Sequence, residues 1–247
     1  MIKTMKADEI FRNVLNELYD KHHPSKHPFF QHLAVFPTEE LRSPTLLGEL
    51  HLRYQAACHA TRVMVYHLPY FNSPKLRIRK LRILIDDDGL KDEDTHHYQL
   101  TRAFSNIGAE LVIEDDEFGD LDKLKKILDP ATTKFVSLVQ DLYPRSLGPW
   151  CVVETLADDW MRALMNSLSV HFPLIKEEPY FADCFDQGIE ERHAREALDL
   201  TNTILLKSPE LLETTIEDAR LMAAEIDDFW SGLSFLLRNS KQEMPIS

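Results

Sequence analysis

Glycine is scarce in this chain, with 7 residues in 247, and so few suit a compact helical protein better than a turn-rich β fold. Cysteine is scarcer still. Cys58, Cys151 and Cys184 are odd in number and show neither C-x-x-C spacing nor a disulfide framework, which points to a reducing compartment, the cytoplasm. No apolar run approaches the 18 or so residues of a membrane span, and the first residues carry no apolar signal core, so neither a membrane partner nor secretion is expected. Basic charge is also short: 28 Lys and Arg face 41 Asp and Glu, leaving a net charge of −13. That balance excludes sequence-independent nucleic-acid binding, which needs clustered cations on phosphate. There is no repeat, low-complexity segment or linker-like shift in composition. At this length a full core can be buried without staples, and one all-α domain over residues 1–247 is expected.

The apolar residues recur at helical spacing. Ile10, Phe11, Val14, Leu15 and Leu18 predict a first helix over 7–21, followed by a break at His22-His23-Pro24-Ser25. His27-Pro28 opens a short helix, and Ser43-Pro44 opens a long one carrying Leu46, Leu47, Leu50, Tyr54, Ala57 and Cys58. Further helices are expected over 76–88, 96–107, 120–128, 132–143 and 147–171, then from Pro179 and from Pro209 to about 238. Residues 110–113 and 135–139 have strand-like patterns as an alternative. The one basic cluster, Lys75 to Arg82, reads as an exposed helix face.

Chemistry concentrates in the segment from Tyr180 to Leu198. It places Asp186, Glu190 and His193 at helical positions i, i+4 and i+7, which at about 100° per residue fall within roughly 60° of one face. Two carboxylates and an imidazole so placed could hold a metal. Asp86-Asp87-Asp88-Gly89 ends another helix on three carboxylates, where the helix dipole and mutual repulsion both call for a cation. His96-His97 follows at the start of the next. Glu154 sits just past the apolar run Val152-Val153, and an inward carboxylate in a helical bundle is costly unless paired or metal-bound. Together Asp87, His97, Glu154, Asp186, Glu190 and His193 offer four carboxylates and two imidazoles, a set that suits iron or manganese better than zinc or copper. The other histidines share no spacing that would build a second site.

At these residues the chain resembles the haem-oxygenase-like dimetal oxidases, most closely the relatives of the Chlamydia protein associating with death domains, alongside the TenA and PqqC branches of that fold. The likeness is carried by Asp86-Asp87 with Gly89, by His97 leading to Leu100 and Phe104, by Glu154, and by Asp186-x-x-x-Glu190-x-x-His193 after Tyr180-Phe181. Arg192-His193-Ala194-Arg195-Glu196 is the strongest local match, and the likeness extends over about 27–240. Three positions depart from the family pattern. Asp87 stands for Glu, Asp186 for His and Glu190 for Asp, and Tyr180 to His193 is about two residues longer. Asp86 or Asp88 could replace Asp87 as ligand, and an alternative register puts Cys184 at the first histidine position.

The resemblance implies a haem-oxygenase-like helical bundle that uses two iron ions, or an iron and manganese pair, to activate dioxygen. The substrate would be a small molecule or one of the protein's own side chains, for which Tyr54, Tyr66, Tyr70, Tyr98 and Tyr180 are available. The fold class is compatible with a homodimer. A second reading follows the TenA branch, in which Cys151 after Gly148-Pro149 would be a nucleophile and Glu225 or Asp227 an acid, hydrolysing a thiamin-related substrate. A third is a metal-free binding or interaction protein of the same fold.

Overall fold

A computed structural model describes residues 6–240 apart from 63–66, 68, 90–94, 115–117 and 187; for residues 88, 121 and 186 it describes the backbone alone. Among the described residues every regular element is a helix. The α-helices are α1 (Ala7–Lys21), α2 (Pro28–Ala34), α3 (Thr38–Leu41), α4 (Pro44–Thr61), α5 (Pro74–Asp88), α6 (His96–Asn106), α7 (Leu121–Ile127), α8 (Pro130–Leu142), α9 (Gly148–Ser169), α10 (Pro179–Asp186), α11 (Ile189–Lys207) and α12 (Leu212–Asn239). The strand-like stretch 135–139 lies inside α8, because the Asp129 carboxylate caps the N–H groups of Ala131 and Thr132 and commits the segment to a helix.

Helix α9 is the centre of the fold. Its residues Trp150, Cys151, Val152, Val153, Leu156, Ala157, Trp160 and Met161 are buried on successive faces, as in a helix enclosed by others. It packs against α11 and α12 and also touches α1, α2 and α10. One contiguous apolar core runs from Phe11 in α1 to Leu237 in α12. Trp230 of α12 anchors it, stacked on Phe29 with ring centroids 5.5 Å apart and lying 5.9 Å from Tyr54.

Two expectations from the sequence need correction. Pro179 does not open one helix through His193: α10 ends at Asp186 and α11 starts at Ile189, with Gly188 between them in the left-handed conformation at φ 58°. Such a backbone suits glycine, and it cancels the shared helical face of Asp186 and Glu190. Nor is the basic stretch of α5 wholly an exposed face. Arg77 and Arg82 point outward, but Lys80 is 3% exposed. It follows Leu76 by four residues and precedes Ile83 by three, so it lies on the stripe that α5 turns to the core.

The close seam between α9 and α12 depends on Gly148, where a Cβ would fall far inside contact distance of the Thr215 carbonyl oxygen. Backbone cannot yield there as a flexible side chain would. Gly148→Ala is therefore expected to lower stability by about 1–3 kcal/mol, read as a drop in the urea midpoint at unchanged slope; an unchanged midpoint would contradict this packing.

Candidate metal centre

Four helices deliver side chains to one buried spot beside α9. Asp87 comes from the last turn of α5, His96 from the first turn of α6, Glu154 from α9, and Glu190 and His193 from the start of α11; all are buried. Each helix is held where its ligand-type residue is needed. The Thr95 hydroxyl caps α6 by accepting from Tyr98 N–H at 3.0 Å, and Gly89 ends α5 with a hydrogen bond back to the Ile85 carbonyl at 2.8 Å.

Two trios of donor atoms share Glu190. Asp87, Glu190 and His193 each offer an atom within 4.8 Å of the others, and so do His96, Cys184 and Glu190. Glu154 closes the first trio, its Oε2 lying 3.8 Å from His193 Nδ1, while Asp87 Oδ1 lies 3.7 Å from the same nitrogen. Asp87 also joins the trios, with His96 Nδ1 3.4 Å from its Oδ1. On its other side His96 Nε2 meets Cys184 Sγ at 3.5 Å.

The orientation of His193 is the informative detail. Its Nε2 stands 3.2 Å from Asp86 Oδ2, and since a carboxylate only accepts, this nitrogen carries the proton. Asp86 is fixed in turn by Arg192 at 2.8 Å. Nδ1 then faces Asp87 and Glu154 without a hydrogen-bond partner, though His193 is 1% exposed. A lone pair and two carboxylates cannot satisfy one another. A proton or a metal ion must sit among them, the proton either on Nδ1 or on a carboxylate that then donates to it, and a ligating histidine held from behind by a carboxylate is the usual arrangement around metals. The donor set of carboxylate oxygen, imidazole nitrogen and one thiol sulfur fits a first-row transition metal.

Electrostatics show the same strain. Burial, helped by Asp87 and Glu190, pushes Glu154 up to about 7 against the pull of His193 and Lys80. Glu190 is raised for the same first reason, burial. For Asp87, burial favours the neutral acid, but the hydrogen bond from His96 and the charge of His193 prevail and hold it at about 2. His193 is raised, the carboxylates outweighing its desolvation.

Two cations flank the cluster. Lys80 Nζ lies 3.2 Å from the centroid of the Trp150 ring and makes no hydrogen bond; burial lowers it to about 7 in spite of Glu154 and Asp87. Arg62 keeps its charge, because Cys58, Tyr180 and Asp87 outweigh its desolvation. Trp150 connects these parts, donating from Nε1 to Glu154 Oε1 at 2.5 Å, which leaves Oε2 toward His193.

Of the six residues singled out as ligands, Asp87, Glu154, Glu190 and His193 meet in this cluster. His97 does not: its ring packs 5.0 Å from Phe118 and 5.8 Å from His59, and the neighbouring His96 occupies the place expected for it. His96 precedes Leu100 by four residues and Ala103 by seven, so it shares their buried stripe, and that spacing was the available signal. The side chains of Asp186 and Asp88 lie outside the described residues. Cys184, four residues after Tyr180 and on the near side of the Gly188 break, reaches the cluster instead. Lys80 and Arg62 escaped sequence reading, although Lys80 precedes Asp87 by seven residues on the same face of α5.

Cys151, the alternative nucleophile, is fully buried, and burial pushes its thiol up to about 12. Glu225 is engaged by Lys134 at 2.6 Å and Asp227 by His22 Nδ1 at 2.6 Å. Of the tyrosines named from the sequence, Tyr180 stands beside His96, with ring centroids 6.0 Å apart, and its hydroxyl is 3.0 Å from that of Tyr54; the buried Tyr143, not among them, is the one that feels the charges of Glu154 and Asp87. Tyr70 donates to the Arg145 carbonyl, Tyr98 is exposed, and Tyr66 lies outside the described residues.

No protein-family model matches this chain, and no curated protein is detectably similar to it. No helix among the described residues is long and apolar enough to cross a membrane.

The raised Glu154 has a consequence for stability. Between the ordinary value of 4.5 and about 7, the folded chain keeps a proton on Glu154 that the unfolded chain has released. The folded state then binds more protons, so this group's contribution to stability falls as pH rises through that window. In metal-stripped protein the Tm of Glu154→Gln relative to wild type should therefore grow between about pH 4.5 and 7. A difference that stays flat by calorimetry would remove Glu154 from the buried charge cluster.

Proposed function

We propose that this chain is a haem-oxygenase-like dimetal oxidase, with two iron ions or an iron and manganese pair held by Asp87, Glu154, Glu190, His193 and His96, and with Cys184 at the edge of the set. The observation that carries the reading is the bare His193 Nδ1, aimed between two buried carboxylates while Asp86 holds the proton on Nε2. Bound there, such ions would supply electrons and open positions for dioxygen, which is a co-substrate in this reading.

The chain's own residues do the rest. Asp86, held by Arg192, fixes the ring of His193 and its tautomer. Trp150 restrains one oxygen of Glu154 and leaves the other free to change its binding mode. Trp150, which donates to Glu154, and Tyr180, beside His96, are both buried and keep bulk water from the cluster. The substrate is a small molecule or a side chain of the protein itself. For the second case the geometry favours Tyr180, whose ring stands beside His96 with Tyr54 holding its hydroxyl.

One specific observation favours a rival. Lys80, Arg62 and a protonated His193 match the three charges of Asp87, Glu154 and Glu190, so the cluster can stand neutral with no metal, as in a silent binding protein of this fold. Elemental analysis separates the two. After supplementation with iron and manganese, the oxidase reading expects about two metals per chain. They should be lost in Glu154→Ala and His193→Ala and retained in His97→Ala. Oxygen uptake should follow reduction of the loaded protein. Wild-type protein that carries no metal would leave the neutral salt cluster as the correct reading.

A further inference from the structure

On this strongly acidic chain, four arginines converge on one hollow. Arg12 comes from α1, Arg79 from α5, and Arg192 and Arg195 from α11, and the hollow they line with Glu196, Leu198 and Asp199 has a volume of about 470 Å3. Two of them are engaged. Arg79 binds Glu196 and Asp199, the latter at 2.7 Å, and Arg192 binds Asp86 at 2.8 Å. Arg12 and Arg195 form no ion pair among the described residues, although acidic side chains are abundant elsewhere on the molecule. Four guanidinium groups against the three carboxylates of Asp86, Glu196 and Asp199 leave the hollow with one positive charge in excess, and that excess lies on the side of Arg12 and Arg195.

Such an arrangement works against folding unless something compensates. Like charges drawn together from three separate helices repel, and a chain with 41 acidic residues had ample means to neutralise them. Guanidinium forks match phosphate oxygens in pairs, and two unpaired forks beside two engaged ones suit two adjacent phosphoryl groups better than a single carboxylate. The volume exceeds that of a phosphate and falls in the range of small-molecule pockets, about 300–1,000 Å3, so a diphosphate can carry an attached group.

We propose that the hollow framed by Arg12, Arg79, Arg192 and Arg195 binds the diphosphate group of a small molecule. Arg12 and Arg195 supply the free charge, and Arg79, oriented by Glu196 and Asp199, gives the hollow a fixed wall. Arg192 also ties the hollow to the buried cluster through Asp86 and His193. The site does not depend on metal in that cluster.

The test is calorimetric titration of full-length, EDTA-treated and desalted protein with inorganic pyrophosphate and, separately, with ADP. Saturable binding at one site per chain is expected, weakening at least ten-fold in R12Q/R195Q and unchanged in R220Q, which alters an exposed arginine of α12 elsewhere on the surface. Circular dichroism melts of each variant verify folding, since all the changed side chains are exposed. ADP binding more tightly than pyrophosphate identifies a nucleotide-type ligand, and equal affinity identifies the diphosphate alone; both support the site. It is overturned if neither ligand saturates, if R12Q/R195Q binds like wild type, or if sulfate competes as well as pyrophosphate.

Discussion

The demand of three buried carboxylates for positive charge shapes the centre of this molecule. Asp87, Glu154 and Glu190 are drawn from three different helices into a buried space bordered by Trp150 and Tyr180, where an ion loses most of its hydration. Leaving any of them charged and unpaired costs several kcal/mol. What surrounds them answers that cost: His193 and His96 face them, Lys80 and Arg62 lie beside them, and Trp150 donates a hydrogen bond to Glu154. The core does not simply tolerate these groups. His193, His96, Lys80, Arg62 and Trp150 all bear on their charge.

This arrangement explains why most of α9 is enclosed, with only the stripe through Asp158, Arg162 and Asn166 reaching solvent. A helix carrying Glu154 inward needs neighbours that bring cations or metal-ligating nitrogen to it, and α5 and α11 do so from opposite ends of the chain's order. Close approach at Gly148 lets α12 press against the start of α9, and the aromatic cluster around Trp230 fills the other side. Packing and electrostatics therefore support each other: the apolar shell fixes the carboxylates, and low polarity around them makes each charge count for more.

The oxidase and silent-protein readings share this geometry and differ only in what carries the positive charge. Lys80 is the pivot. It is a buried amine without a hydrogen bond, held by an aromatic face and by attraction to Glu154 and Asp87. Divalent ions in the cluster would remove the reason for its charge, whereas without them its ammonium group is part of the balance. The same residue thus serves either state, with its proton as the variable.

By itself the sequence determined that the chain is helical, where most helices begin, and that carboxylates and histidines are concentrated near their ends. Those features are local: proline at helix starts, Ser, Thr and Asp caps, and apolar spacing all act within a few residues. Asp87, Glu154, Glu190 and His193 stand out on similarly local grounds: three carboxylates ending a helix, a carboxylate just past an apolar run, and helical spacing after Tyr180, joined by the family resemblance. Only the tertiary structure decided which groups meet. A single left-handed residue, Gly188, rotates Glu190 and His193 relative to Cys184 and defeats a face drawn on a continuous helix. His96 was preferred to His97, and Lys80 turned inward, because a helix takes its rotation from all its buried residues together. Such choices depend on helices far apart in the chain, and no local pattern contains them.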